Sequence, residues 1–164
     1  MIKRRWFAAG VLLAACGGGA GSSHVQPANS AAGAVNGFLQ AVADSNLDKM
    51  AALWGTARGP AARTHQPDNY ERRIAVMRAY LQHETARIVS DTPEDETHHA
   101  LQVELRRQLC TWIVPFAAIK AGDGSWLVNQ VDLNAAGNPA RPCVPGQGDS
   151  TMADSTAADS TAHR

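Results

Sequence analysis

Neither sign of charge prevails in this sequence. Fifteen Lys and Arg residues meet fifteen Asp and Glu, a formal net charge of zero with histidine neutral. That balance excludes the strongly basic surface by which bulk charge would point to nucleic acid. Apolar runs are short as well, none approaching the roughly 20 residues that a spanning helix needs. Only 5% of the residues are aromatic and 18% charged. The motifs that announce common chemistries are missing: there is no HExxH, no pair of CxxC motifs, no EF-hand loop and no glycine loop to cradle phosphate. No Ser/His/Asp arrangement stands out, and neither a metal nor a cofactor is expected. What is present is a 45% hydrophobic fraction in 164 residues, enough for one small globular core.

The first sixteen residues read MIKRRWFAAGVLLAAC. Lys3, Arg4 and Arg5 form a positive segment ahead of ten apolar residues, too short to span a bilayer but suited to a signal-peptide core. The run ends in Leu13-Ala14-Ala15-Cys16, which resembles the lipobox of bacterial lipoproteins. The resemblance implies a signal peptide over 1–15 and lipidation of Cys16 by diacylglycerol (palmitate-type chains). Cleavage before Cys16 and acylation of the freed amine would follow, and two or three acyl chains anchor stably where one does not. The expected location is the bacterial cell membrane, or the periplasmic side of the outer membrane where the envelope has two, since Gly17 follows the cysteine. Arg4-Arg5-Trp6-Phe7 also resembles a twin-arginine centre, but Lys3 stands where Ser or Thr is usual, so Sec export is the expectation. Loss of 1–15 leaves 12 basic and 15 acidic residues, so acyl chains rather than charge would hold the protein to the membrane.

Composition divides the remainder. Residues 16–30, with Gly17-Gly18-Gly19, read as a flexible tether, and 144–164, with the repeat DSTMA-DSTAA-DSTA, as a disordered polar tail. Residues 31–143 are the expected domain. Val35, Phe38, Leu39 and Val42 lie on one face of a helix, and Leu47, Met50, Ala51 and Trp54 on a second helix capped by Ser45 or Asn46 and stopped by Gly55. Residues 55–66 read as a loop or irregular strand. Asp68 and Glu71 have capping-box spacing ahead of a third helix carrying Tyr70, Ile74, Met77 and Leu81.

The period then changes to two. A weak strand is expected over 86–89, a polar run over 90–97, and a half-buried strand where Leu101, Val103 and Leu105 alternate with polar residues. Two further strands, 109–120 and 125–133, flank the hairpin signal Ala121-Gly122-Asp123-Gly124. Regular pairing about that turn puts Trp112, Val114, Phe116 and Ala118 with Leu127, Asn129, Val131 and Leu133 against the helices. Ile113, Pro115, Ala117 and Ile119 then share the other face with Trp126, Val128, Gln130 and Asp132. That second face is more apolar than solvent requires, which points to a partner or a homodimer through the sheet. Helices followed by an antiparallel meander make an α+β domain.

This order resembles the nuclear transport factor 2-like superfamily. The resemblance is carried by the helix at Ala34-Val35-Asn36-Gly37-Phe38-Leu39-Gln40-Ala41, the phrase Asp44-Ser45-Asn46-Leu47-Asp48-Lys49-Met50, and the strand Gly124-Ser125-Trp126-Leu127-Val128. It implies N-terminal helices packed on a curved antiparallel sheet to form a cone with a cavity, a fold that serves isomerases, cyclases, scaffolds and binding modules alike.

With Cys16 lipidated in an oxidising compartment, Cys110 and Cys143 remain as a disulfide pair. Hairpin pairing sets Cys110 opposite 135–137, and a loop containing Gly137, Pro139 and Pro142 can fold back to it. His98 and His99 follow Asp91, Glu94, Asp95 and Glu96, but neighbours on a strand point to opposite faces and do not readily share an ion. A catalytic cone needs an inward acid or base. The apolar faces supply only Arg107 and Asn129, which argues against acid–base catalysis, although Tyr70, Asp68 or His65 can reach inward from helix and loop. Arg107 and Asn129 could instead bind an anionic or amide ligand between Trp54, Trp112 and Phe116. The plainer alternative has Arg107 emerging at a sheet end and Asn129 bonding backbone. Arginines 58, 63, 72, 73 and 78 read as a solvated, salt-bridged surface with Asp68 and Glu71. The expectation is a non-enzymatic envelope lipoprotein whose domain binds a small ligand or an envelope protein; the alternative is a small isomerase/cyclase-type enzyme.

Overall fold

The structure, a computed structural model, describes residues 26–141 and 143. Residues 1–25, on which the expected signal peptide, Cys16 and most of the expected tether fall, and the 144–164 stretch expected as a tail lie outside the described residues. Helix α1 (Ala31–Ala43) starts where the Ser30 side chain accepts the Gly33 N–H at 3.0 Å. Its buried positions Ala31, Ala34, Val35, Phe38, Leu39 and Val42 repeat every three to four residues, so one face meets the core. Asn46 caps α2 (Leu47–Leu53) by accepting from Lys49 N–H at 2.9 Å. Two short strands, β1 (Gly55–Thr56) and β2 (Gly59–Pro60), pair antiparallel, and α3 (Ala61–Thr64) follows. Only glycine fits at 55, because a Cβ there would lie 2.3 Å from the Gly59 carbonyl oxygen.

Helix α4 (Tyr70–Tyr80) corrects the capping expectation. Its N-cap is Asn69, at φ 60°, with no side-chain capping bond, so the Asp68/Glu71 box does not form. Asn69 Oδ1 accepts instead from Arg73 Nε at 3.1 Å, and Glu71 accepts from the Tyr70 hydroxyl at 3.4 Å. Ile74, Met77 and Leu81 face the core.

Strands β3 (Thr85–Pro93), β4 (His98–Arg107), β5 (Cys110–Lys120) and β6 (Trp126–Val131) form one antiparallel sheet in sequence order. The molecule is therefore α+β, with helices on one side of a four-stranded antiparallel sheet. Alternation holds through β4 and β5: Leu101, Val103, Leu105, Val114, Phe116 and Ala118 are all buried against the helices. The last strand stops at Val131, short of the expected end at 133, and a 3-10 turn, Leu133–Ala136, ends the meander.

Two bulges break the regular register. In β3, Ile88 pairs with Val103 and Ser90 with Gln102, leaving Val89 extra. β3 runs further than the expected 86–89, and the bulge turns Asp91 to the helix-facing side, opposite Leu101. In β6, Gln130 pairs with Ala117 and Val128 with Ala118, leaving Asn129 extra. Because side chains alternate with period two, one inserted residue moves everything beyond it to the other face. Trp126 and Val128 thereby join the main core, while Leu127 crosses to form a small cluster with Ile119 and Ala121. The assignment of Leu127 to the helix side and of Trp126 and Val128 to the outer face is corrected accordingly. The outer face loses two large apolar residues and carries the Arg87–Glu104 ion pair at 3.0 Å.

The sheet's edges differ. Beyond β6, Ala28 pairs with Trp126 and Trp54 with Val128. Ordered pairing thus begins inside the stretch read as tether, since the Ala28 carbonyl accepts from Trp126 N–H at 2.9 Å. The β3 edge is blunted by its bulge, Pro93 and charged side chains. No described helix is long and apolar enough to cross a membrane.

Candidate functional site

The bulge in β6 organises a cavity beside Trp54. An extra residue sits outside the ladder, so the Asn129 side chain and carbonyl are released for other partners. Its Nδ2 donates to the Gly55 carbonyl at 2.9 Å, and its carbonyl accepts from Trp54 Nε1 at 3.2 Å. These two bonds lock the end of α2 onto β6 and leave a groove between β6 and α4. Its volume is about 360 Å³, within the range of roughly 300–1,000 Å³ typical of small-molecule sites. Trp54, Met77, Val131 and Leu133 form an apolar wall; Val76, 41% exposed, stands at the rim. Amides from Asn69, Asn129 and Gln130 and the guanidinium side chains of Arg72 and Arg73 supply the polar part.

Of the residues expected to share a pocket, Trp54 and Asn129 do so. Phe116 is 2% exposed, packed in the core opposite Leu101. Arg107 and Trp112 lie at another end of the sheet, with the guanidinium carbon 4.9 Å from the indole centroid and Arg107 Nη1 donating to the Gln82 carbonyl at 3.4 Å. Gly137, at φ 72°, packs so closely on Trp112 that a Cβ would lie 2.7 Å from the indole nitrogen. Cys110 and Cys143 are within disulfide distance nearby, with Cα atoms 6.0 Å apart.

Arg72 and Arg73 are exposed, as expected of a solvated surface, but the expected salt bridges to Asp68 and Glu71 do not form. Among the described residues, Arg63 pairs with Asp123 at 3.1 Å and Arg78 donates to Ser45 Oγ at 3.0 Å. Among the described residues neither Arg72 nor Arg73 has a carboxylate within 4.0 Å. Helical spacing carried the signal, since Arg73 lies four residues before Met77 and shares its flank.

A second feature escaped the sequence reading. His99 has the parity of Leu101 and so lies on the helix-facing side, where its Nδ1 meets Asp91 Oδ1 at 2.6 Å and its ring stands edge-on to Trp126 at 4.8 Å. The parity of Leu101 was a signal for His99 in the sequence, whereas only the β3 bulge brings Asp91 to it. The adjacent His98 turns to Asp95, 2.9 Å away, so the two histidines serve separate carboxylates. Asp95 is held at about 2, first by the Thr97 backbone N–H, then by the Thr97 hydroxyl and His98. No group of three or more metal-ligating side chains occurs among the described residues.

Another cavity, of about 430 Å³, occupies the opposite flank of α4, between Leu47, Asp48, Ala51, Ala62, Tyr70 and Ile74, with Glu71 beside them. Desolvation, then the neighbouring Glu71 charge, raise the Tyr70 phenol above its ordinary value. His65 packs edge-on against Tyr70 at 5.9 Å. No family model, curated protein or solved structure matches this chain.

Proposed function

We propose that this chain is a lipid-anchored envelope lipoprotein whose α+β domain is a binding module, with the groove between α4 and β6 as its ligand site. The observation that carries the reading is that groove: an apolar wall around Trp54, with a few amide and guanidinium groups among its lining residues. The lipobox-like Leu13-Ala14-Ala15-Cys16 supports the anchor, and the packing of helices on an antiparallel sheet supports the likeness to the nuclear transport factor 2-like superfamily. On this reading the partners are the membrane, through acyl chains, and a small ligand; the loss of Trp126 and Val128 from the outer face weakens the case for an envelope protein or a homodimer there.

The enzyme reading has one observation in its favour, the half-buried His99–Asp91 pair, which has the form of an oriented base. Neither residue lines the groove, so no substrate held by Trp54 would meet it. Two experiments test the proposal. Cys16→Ala should move the protein from the membrane fraction to the soluble fraction; retention on the membrane contradicts the anchor. Met77→Trp, which fills the groove, should abolish binding of decanoate and decanol measured by titration calorimetry. Undiminished binding contradicts the assignment of the site.

A further inference from the structure

We infer that the groove selects small amphiphiles with an anionic head, the guanidinium groups of Arg72 and Arg73 receiving the head and the Trp54 wall the apolar tail. The inference rests on the groove being a ligand site and adds its chemical class. The domain as a whole gives no reason to expect an anion, since residues 31–143 hold 11 basic and 12 acidic side chains. The groove departs from that balance. Both arginines line it, no acidic residue does, and neither arginine has a carboxylate within 4.0 Å among the described residues. Arg73 is further oriented by the bond from its Nε to Asn69 Oδ1 at 3.1 Å, which leaves its two terminal nitrogens for a ligand oxygen.

Of the two acidic groups nearest in sequence, Asp68 is exposed and lies within 4.0 Å of neither arginine, and Glu71 is directed elsewhere. Glu71 accepts from Tyr70 and borders the cavity on the other flank, together with Asp48. Helix α4 thus separates a cationic groove from an acidic one, and an anion entering the second would meet like charge. Exposed guanidinium groups alone bind a carboxylate weakly in water. Affinity must therefore come from burying a tail on Trp54, Met77 and Leu133, with the arginines discriminating the head. A free amphiphile fits this better than a bilayer headgroup, because Trp54 and Met77 in the apolar wall are buried while Arg72 and Arg73 are exposed.

Calorimetric titration of the purified full-length chain with decanoate, decanol and decyltrimethylammonium tests the inference, since the tails match and only the heads differ. Decanoate should bind about tenfold or more tightly than decanol, and the cation least. R72Q/R73Q should remove that advantage, and R72K/R73K should restore part of it. Equal affinity for all three heads, or no effect of R72Q/R73Q, overturns the inference while leaving the groove a ligand site. Failure of all three to bind overturns the ligand-site reading itself. Binding to phosphatidylglycerol vesicles that needs both arginines, without binding of free decanoate, would overturn the inference in favour of a membrane headgroup.

Discussion

Asn129 shows how much one residue can arrange. Its side-chain donor reaches Gly55, its carbonyl takes the Trp54 indole proton, and its position as the extra residue of a bulge makes both bonds available. Trp54 is 7% exposed, so most of its stabilisation comes from burial and only a smaller part from that hydrogen bond. Trp54→Phe keeps most of the apolar surface but leaves the Asn129 carbonyl without its donor. We expect a loss of about 1 kcal/mol in urea unfolding, with weakened decanoate binding; an unchanged midpoint would mean that solvent replaces the bond. Asn129 could be nominated from the sequence as the lone amide in an apolar alternation. Its partners could not, because nothing local in the sequence specifies that the strand bulges there.

At the scale of elements, the β5–β6 turn illustrates a device that is legible in the sequence and also titratable. Asp123 Oδ1 accepts the Ser125 hydroxyl at 2.6 Å and the Ser125 N–H at 3.1 Å, and Oδ2 accepts from Arg63. Those bonds, Ser125's first, lower the Asp123 carboxyl from its ordinary 3.8 to about 2. A folded value below the unfolded one stabilises the fold above about pH 4, and that stabilisation is lost as pH falls towards 2. The urea midpoint should therefore decline between pH 4 and pH 2, and Asp123→Asn should flatten part of that decline. An identical slope in the variant would remove Asp123 from the account. The turn was readable because Gly and Asp have few other uses between two apolar runs, and Gly124 does adopt φ 84°. The faces beyond it were not, since β6 changes parity at Asn129. The same holds for β3, where parity changes at Val89 and brings Asp91 to His99. A strand's alternation is a local property, whereas a bulge is set by what the neighbouring chain needs.

At the scale of the molecule, the order of α1, α2, α4 and the four-stranded meander and the core of Phe38, Leu101, Val103 and Val114 follow from hydrophobic period, whereas the β1–β2 pair and α3 within 55–66 do not. The groove does not, because it is enclosed by α4 and β6, which are distant in sequence, and its arginines look like ordinary helix-surface residues until that packing is known. The same long-range closure brings Cys110 to Cys143 across 33 residues. We propose that they are bonded to each other. Loop entropy then predicts that replacing both with alanine lowers stability by about 3–4 kcal/mol; two free thiols in non-reduced mass spectra would contradict the bond. The central claim is that the groove beside Trp54 holds the ligand. Following indole N–H signals of the full-length chain by NMR during a decanoate titration tests it most directly. The Trp54 signal should move progressively while that of Trp112, stacked on Arg107 at another end of the sheet, stays in place. Movement of Trp112 with Trp54 unmoved, or no movement of either, would contradict it.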